Sequence, residues 1–232
     1  MILSGECFLS DKCKKFKSGN CKLEDNTFCI KLFKLDYLYN EALLSGEQRK
    51  YTALYIDGDG TDREQFLQLK QVETNIEKFV NTGSSLYIYS HNCGNGKTAW
   101  SLRLLQSYFN AIWHKCDLNC KALFINVPRF LLSLKDSISN ENKYIEHIKA
   151  NILNADMVVW DEIGTKAVTE FEHEHLLSLI NARIDSNKSQ VFTSNLEPNE
   201  LREAVGERLY SRVVKLSTII ELRGSDKRGQ IR

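Results

Sequence analysis

His91-Asn92-Cys93-Gly94-Asn95-Gly96-Lys97-Thr98 follows an apolar run, Leu86-Tyr87-Ile88-Tyr89, and opens an amphipathic segment from Trp100 to Trp113. Strand, glycine-bearing loop and helix in that order are the setting of a phosphate-binding loop. Small residues let the backbone wrap a polyphosphate with successive N–H groups turned inward, at the positive end of the helix. Asn92, Cys93, Gly94, Asn95 and Gly96 would form that cradle. Lys97 would reach the β- and γ-phosphates of a nucleotide, and the Thr98 hydroxyl would ligate Mg²⁺. The pattern G-x-x-x-x-G-K-[ST] has Gly where this chain has His91, so an altered geometry is expected at the start of the loop. Gly-Lys-Thr also occurs in ordinary surface turns, and the sequence downstream has to separate the two readings.

Met157-Val158-Val159-Trp160 is a buried-strand pattern that ends in two carboxylates, Asp161-Glu162. Open α/β sheets bind ligands at that edge. Asp161 suits the Mg²⁺ shell, because Mg²⁺ takes hard oxygen ligands and keeps several waters. Glu162 suits polarisation of the water that attacks the γ-phosphate. Alone, the pair would read as a solvated turn; with the Lys97 loop it reads as a site. A further apolar strand, Gln190-Val191-Phe192, ends in Thr193-Ser194-Asn195. Asn195 is the candidate to orient the same water, against the alternative of a helix cap. Gly206-Glu207-Arg208-Leu209-Tyr210-Ser211-Arg212-Val213 is helical in pattern, with Arg208 and Arg212 on one face. Arginine stabilises charge on a transferring phosphoryl group and can come from a neighbouring subunit, although two arginines on a helix more often form a solvated face.

These blocks, in this order, resemble the AAA+ ATPases of the DnaC/DnaI helicase-loader type over roughly residues 65 to 225. The resemblance is carried by the loop at 91–98, by Asp161-Glu162-Ile163-Gly164, by Thr193-Ser194-Asn195 and by Gly206-Glu207-Arg208 with Ser211-Arg212. It implies an α/β fold, a P-loop parallel sheet flanked by helices, and an ATPase working in replication initiation. Its implied partners are a hexameric replicative helicase and single-stranded DNA, with hydrolysis weak until a partner or DNA is bound. Arg212 matches the family's trans-acting arginine finger, which implies self-assembly. Two other readings stay open: a transposition-helper ATPase of the IstB type, and a non-hydrolysing adaptor in which His91 marks a decayed site.

The first thirty residues are of another kind. Cys7, Cys13, Cys21 and Cys29 are separated by five, seven and seven residues, among lysines, glycine and asparagine. Nothing there builds an apolar core, so metal ligation would substitute for one. Four thiolates suit tetrahedral Zn²⁺, with an iron–sulfur cluster or free thiols as alternatives. The resemblance adds a cysteine-rich zinc module that contacts the helicase. Cys93, Cys116 and Cys120 lie apart; the last two are spaced for one helical face but read as packing thiols.

The remaining organisation fits this division. The 232 residues suffice for an ATPase domain over 61–232 and a small cysteine-rich module with linker over 1–60. A net charge of +1 means that any affinity for nucleic acid is local, and residues 1–35 hold seven lysines against four acids. No run approaches the ~18 apolar residues that span a bilayer, no signal peptide is visible, and seven cysteines fit a reducing cytoplasm. Helices are expected over Lys31–Leu44 and Asp62–Val80, with Asp57–Asp62 as linker and helix cap rather than a calcium loop. Strands near 86–90, 122–127, 157–161, 190–194 and 218–222 alternate with helices, the pattern of a parallel sheet. The helical patterns Arg129–Ser137 and Asn142–Leu153 fall where such ATPases place a DNA-contacting insertion, which makes Arg129, Phe130 and Lys135 candidates. Glu172-His173-Glu174-His175 reads as a solvated face, since residues two apart on a helix diverge. The chain ends about ten residues after its last strand, too soon for a full helical lid, leaving Arg223 or Arg228 as the candidate further sensing arginine.

Overall fold

The computed structural model describes residues 7, 10–11, 13–21, 26–50, 54, 60–139, 142–165 and 168–227. Five strands form one parallel sheet in the order β2-β3-β4-β1-β5. They are β1 (Ser85–Tyr89), β2 (Ala122–Asn126), β3 (Met157–Asp161), β4 (Ser189–Ser194) and β5 (Thr218–Glu221). Each lies within a residue or two of its expected position. The strands lack polar alternation because helices cover both faces of the sheet. Leu86 and Ile88 face a layer containing Trp100, Leu104, Tyr108 and Phe109, while Tyr87 faces the opposite layer with Trp160, Phe192 and Leu209.

The first layer contains α2 (Asn26–Glu41), α3 (Arg63–Thr74), α4 (Ile76–Asn81) and α5 (Lys97–Ile112). Helix α5 is buried through Trp100, Leu104, Leu105, Phe109 and Ile112 because it runs beneath the middle of the sheet. The expected helix over Asp62–Val80 is two helices, broken at Asn75, whose side-chain amide donates to the Gln71 carbonyl at 2.9 Å. An asparagine that bonds its own backbone competes with helix continuation. Leu38, Ala42 and Leu44, inside the segment expected to belong to the N-terminal module, are buried in this layer. The Phe124 N–H donates to the Ala42 carbonyl at 3.0 Å, so the chain after α2 is fastened to the free edge of β2.

The second layer contains α6 (Val127–Ser139), α7 (Lys143–Asn154), α8 (Glu170–Asp185) and α9 (Pro198–Val213). Helix α9 is interrupted at Gly206 (φ 77°, ψ 161°), so Arg208 and Arg212 share a short terminal piece of their own. Glu172 departs from the expected solvated face. It is fully buried, closes a capping box with Thr169, and pairs with Lys135 of α6 at 3.1 Å. Arg183 is also fully buried, and its guanidinium donates to the carbonyls of Ile152, Ala155 and Ser189, fixing the end of α7 against the start of β4.

The structure does not support the four-cysteine zinc centre. Among the described residues, which include Cys7, Cys13, Cys21 and Cys29, no group of three or more Cys, His, Asp or Glu is placed to hold a metal. None of the four forms a disulfide, and the Cys13 sulfur accepts the Phe16 N–H at 3.4 Å, capping the short helix α1 (Lys14–Lys17). Cys116 and Cys120 lie in the loop after α5 rather than on a helical face. No described helix is long and apolar enough to cross a membrane.

Candidate active site

Four parallel strand tips meet at one edge, and the site is built from them. Register sets Asn126 of β2 beside Asp161 of β3, and Trp160 of β3 beside Phe192 of β4. Thr193, one residue further on, therefore reaches the Asp161 carboxylate. The loop between β1 and α5 lies across the same edge. A cleft of about 410 Å³ is lined by residues 93–99 together with Glu162, Thr193, Ser194 and Asn195. The loop, Glu162 and Asn195 thus face one cleft, and Asp161 lies beside it, bonded to Thr98.

The loop is held in shape from within. Gly94 (φ 76°) and Gly96 (φ 109°) occupy left-handed conformations that a side chain disfavours, and Gly96 is the N-cap of α5. His91 is not among the residues with positive φ, so position 91 places no demand for glycine. The His91 ring is half exposed and faces Glu200 at 3.6 Å. Lys97 is buried and folds back on the loop, donating to the carbonyls of Asn92 at 2.8 Å and Ser90 at 3.2 Å. The Asn95 amide donates to the Leu222 carbonyl at 3.0 Å and to the Ser90 hydroxyl.

Two hydroxyls hold Asp161. The Thr98 Oγ1 donates to its Oδ1 at 2.9 Å and the Thr193 Oγ1 donates to the same oxygen at 2.7 Å. The Thr193 hydroxyl in turn accepts the Glu162 N–H at 3.1 Å. Burial pushes the Asp161 carboxyl above the usual aspartate range, the hydrogen bonds from Thr193 and Thr98 oppose that shift, and the neighbouring Glu162 charge adds to it. An aspartate so buried is a place where a cation is electrostatically welcome.

Glu162 differs from its neighbour. It is exposed and has φ 63°, a left-handed backbone that costs a non-glycine residue on the order of 1 kcal/mol and is typical of functional turns. Its Oε2 accepts the Asn126 Nδ2 at 3.0 Å. Asn126 is a residue sequence reasoning missed. The only signal was a polar residue closing an apolar strand, and its value depends on β2 lying beside β3. Thr193 was missed for the same reason.

Other candidates lie elsewhere. Arg212 is exposed and does not line the cleft; its Nε donates to Asn181 Oδ1 of α8 at 2.7 Å. Arg208 is exposed on the same piece of α9. Arg223 pairs with Glu221 at 2.6 Å, and Arg228 lies outside the described residues. Arg129 and the largely buried Phe130 both line a second cleft of about 210 Å³ between α6, α7 and the β2 edge. Of the segment Asp57–Asp62, residues 57–59 lie outside the described residues. Asp62 occupies the N-cap position of α3 without a capping bond, and its carboxylate accepts the N–H groups of Arg223 and Gly224, each at 2.7 Å.

A parallel sheet covered on both faces, with a lysine loop before α5 and paired acids at the tip of β3, defines a P-loop nucleoside-triphosphatase domain of the AAA+ class. The chain belongs to the family of the bacterial DnaA ATPase domain, whose model matches residues 55–219. Among curated relatives, it is 27% identical over 135 residues to the replicative helicase loader DnaC of Buchnera aphidicola subsp. Baizongia pistaciae, covering 57% of this chain and 52% of that one. The chain spans about half the length of the curated relatives it matches first. Among solved structures, the DnaC helicase loader superposes with a TM-score of 0.63 at 15% identity, covering 77% of this chain and all of that one. DnaI superposes with a TM-score of 0.60 at 17% identity, covering 82% of this chain and 99% of that one. The fold is thus shared with both loaders.

Proposed function

We propose that this chain is an ATP-driven loader that binds a hexameric replicative helicase and helps place it on single-stranded DNA. The observation that carries the reading is the joint placement of Lys97, Thr98, Glu162 and Asn195 on one cleft of a DnaA-family ATPase domain, with the buried Asp161 bonded to Thr98 beside it. The similarity to the replicative helicase loader DnaC supports the loader role and a helicase as partner.

The donor set fits ATP and Mg²⁺. Residues 92–96 and the Lys97 ammonium would take the phosphates, with Lys97 exchanging loop carbonyls for phosphate oxygens. Thr98 and Asp161, already joined through Asp161 Oδ1, offer the hard oxygens that Mg²⁺ selects. Bound Mg²⁺ supplies neutralisation of charge on the phosphate oxygens. Glu162 would take the proton of the attacking water once its carboxylate leaves Asn126, and Asn195 would hold that water from the rim. Thr193 positions Asp161 and the Glu162 backbone together. Arg212, away from its own cleft, is suited to reach a neighbouring subunit's nucleotide.

Turnover of ATP measured alone, with single-stranded DNA, with helicase and with both tests the reading. Stimulation by helicase and DNA together is expected. Turnover that neither partner changes, with no co-sedimentation of chain and helicase, would overturn it.

A further inference from the structure

We propose that the segment Arg223–Lys227 is an electrostatic brake on the nucleotide site, with the Asp226 carboxylate as its working charge. The inference rests on the nucleotide reading of the 91–98 loop and adds a regulator to it.

The segment leaves β5 and runs along the outer side of the phosphate loop, tied to it at several points. The Asn92 Nδ2 donates to the carbonyls of Arg223 at 3.1 Å and Gly224 at 3.3 Å, and the Asn95 Nδ2 donates to that of Leu222. The Lys227 N–H donates to the Gly94 carbonyl at 2.9 Å. From the other side, Asp62 clamps the Arg223 and Gly224 N–H groups. A strap fixed at both ends therefore sets where residue 226 lies.

Its side chain lies on the loop itself. A Cβ built on Gly94 would collide with the Asp226 carboxylate, so the absence of a side chain at position 94 admits that group. Gly94 also lines the cleft, whereas no strap residue does. One glycine thus separates the Asp226 carboxylate from the place a polyphosphate would occupy. Like charges at that range repel, and salt weakens the repulsion. A merely structural carboxylate would do the opposite, because an acid beside the N-terminal end of α5 stabilises the loop and its loss would loosen nucleotide binding.

Titration of a fluorescent ATP analogue into wild type, Asp226→Asn, Asp226→Ser and Lys97→Ala separates these. Neutralising Asp226 is expected to tighten binding about three- to tenfold at low salt, with the gain shrinking towards nothing near 0.5 M salt. The serine variant keeps the test open where the asparagine variant folds poorly. Equal or weaker binding by the folded uncharged variants, or a gain that salt leaves intact, would overturn the brake. Binding by wild type at the level of Lys97→Ala, with neither uncharged variant improving on it, would instead overturn the nucleotide reading and the brake with it.

Discussion

The Asn126 side chain bridges two events at the ends of neighbouring strands. Its Nδ2 donates to Glu162 Oε2 at 3.0 Å, while its Oδ1 accepts the Arg129 N–H at 3.2 Å in the first turn of α6. One amide thus both restrains the proposed base and caps the helix that borders the second cleft. A shift of α6 would pull on Glu162 through a single side chain.

Two substitutions separate those jobs. Asn126→Asp keeps the capping oxygen but sets a carboxylate against Glu162, and should raise basal ATP turnover several-fold while leaving stability nearly unchanged. Asn126→Ala should release Glu162 equally but also lose the cap, at a cost of about 1 kcal/mol. Steady-state turnover and thermal melts on the two proteins check this. Basal rates at or below wild type in both would show that the contact does not restrain the base.

Binding and hydrolysis should separate in the same way. Lys97→Ala is expected to abolish ATP binding, since Lys97 is the buried cation of the loop. Glu162→Gln should bind normally and hydrolyse about 10²–10⁴-fold more slowly. At 100 times its dissociation constant, ATP·Mg²⁺ should stabilise wild type and Glu162→Gln by about 2.7 kcal/mol. A wild-type melt unmoved by millimolar ATP·Mg²⁺ would count against the site as a whole. His91→Gly should leave affinity unchanged, because His91 already adopts a backbone open to any residue. A clear gain would show that the loop is impaired at its start.

Asp161 illustrates the conflict between function and stability. Its folded-state pKa lies above that of an unfolded aspartate, near 3.9, so the native state holds the proton more tightly. Stability therefore falls as pH rises through the unfolded value towards the folded one, and at neutral pH the fold carries the full cost of the buried charge. Asp161→Asn keeps an oxygen for both threonine hydroxyls and removes that cost. It should raise the Tm by about 1–4 °C at pH 7, with the gain vanishing near pH 3 to 4, while Mg²⁺-dependent turnover is lost. A lower Tm at pH 7 would mean that the threonines more than repay the burial.

What was legible in the sequence follows from range. The five strands and the lysine loop were readable because apolar runs and glycine spacing are local properties of the chain. The Thr98–Asp161 contact was readable as chemistry, since a hydroxyl and a carboxylate at two such motifs seek one cation. Asn126, Thr193 and Asp226 were not, because each depends on which strand or segment lies beside which. The cysteines were read from even spacing along the chain, which says nothing of their placement; among the described residues they form no group that could hold a metal, and Cys13 caps a short helix. Glu172 was misassigned because helical periodicity gives a face but not whether a neighbour covers it; Lys135 does.

The last prediction concerns assembly. Arg212 stands on the short piece of α9 after the Gly206 break, outside the cleft of its own chain, with its guanidinium held by Asn181. A finger supplied in trans must leave that hold to reach a neighbour's nucleotide. Arg212→Ala should keep ATP affinity near wild type but remove the stimulation gained on assembly, which in other phosphoryl-transfer systems is worth about 10³–10⁵ in rate. Asn181→Ala, which frees the arginine without removing it, should leave that stimulation intact or raise it. Mixing Arg212→Ala with Lys97→Ala should recover part of the activity, because one protein brings a competent nucleotide site and the other brings the arginine. Activity per subunit should also climb with protein concentration. If it does not, and the mixture recovers nothing, Arg212 serves only the surface of its own subunit.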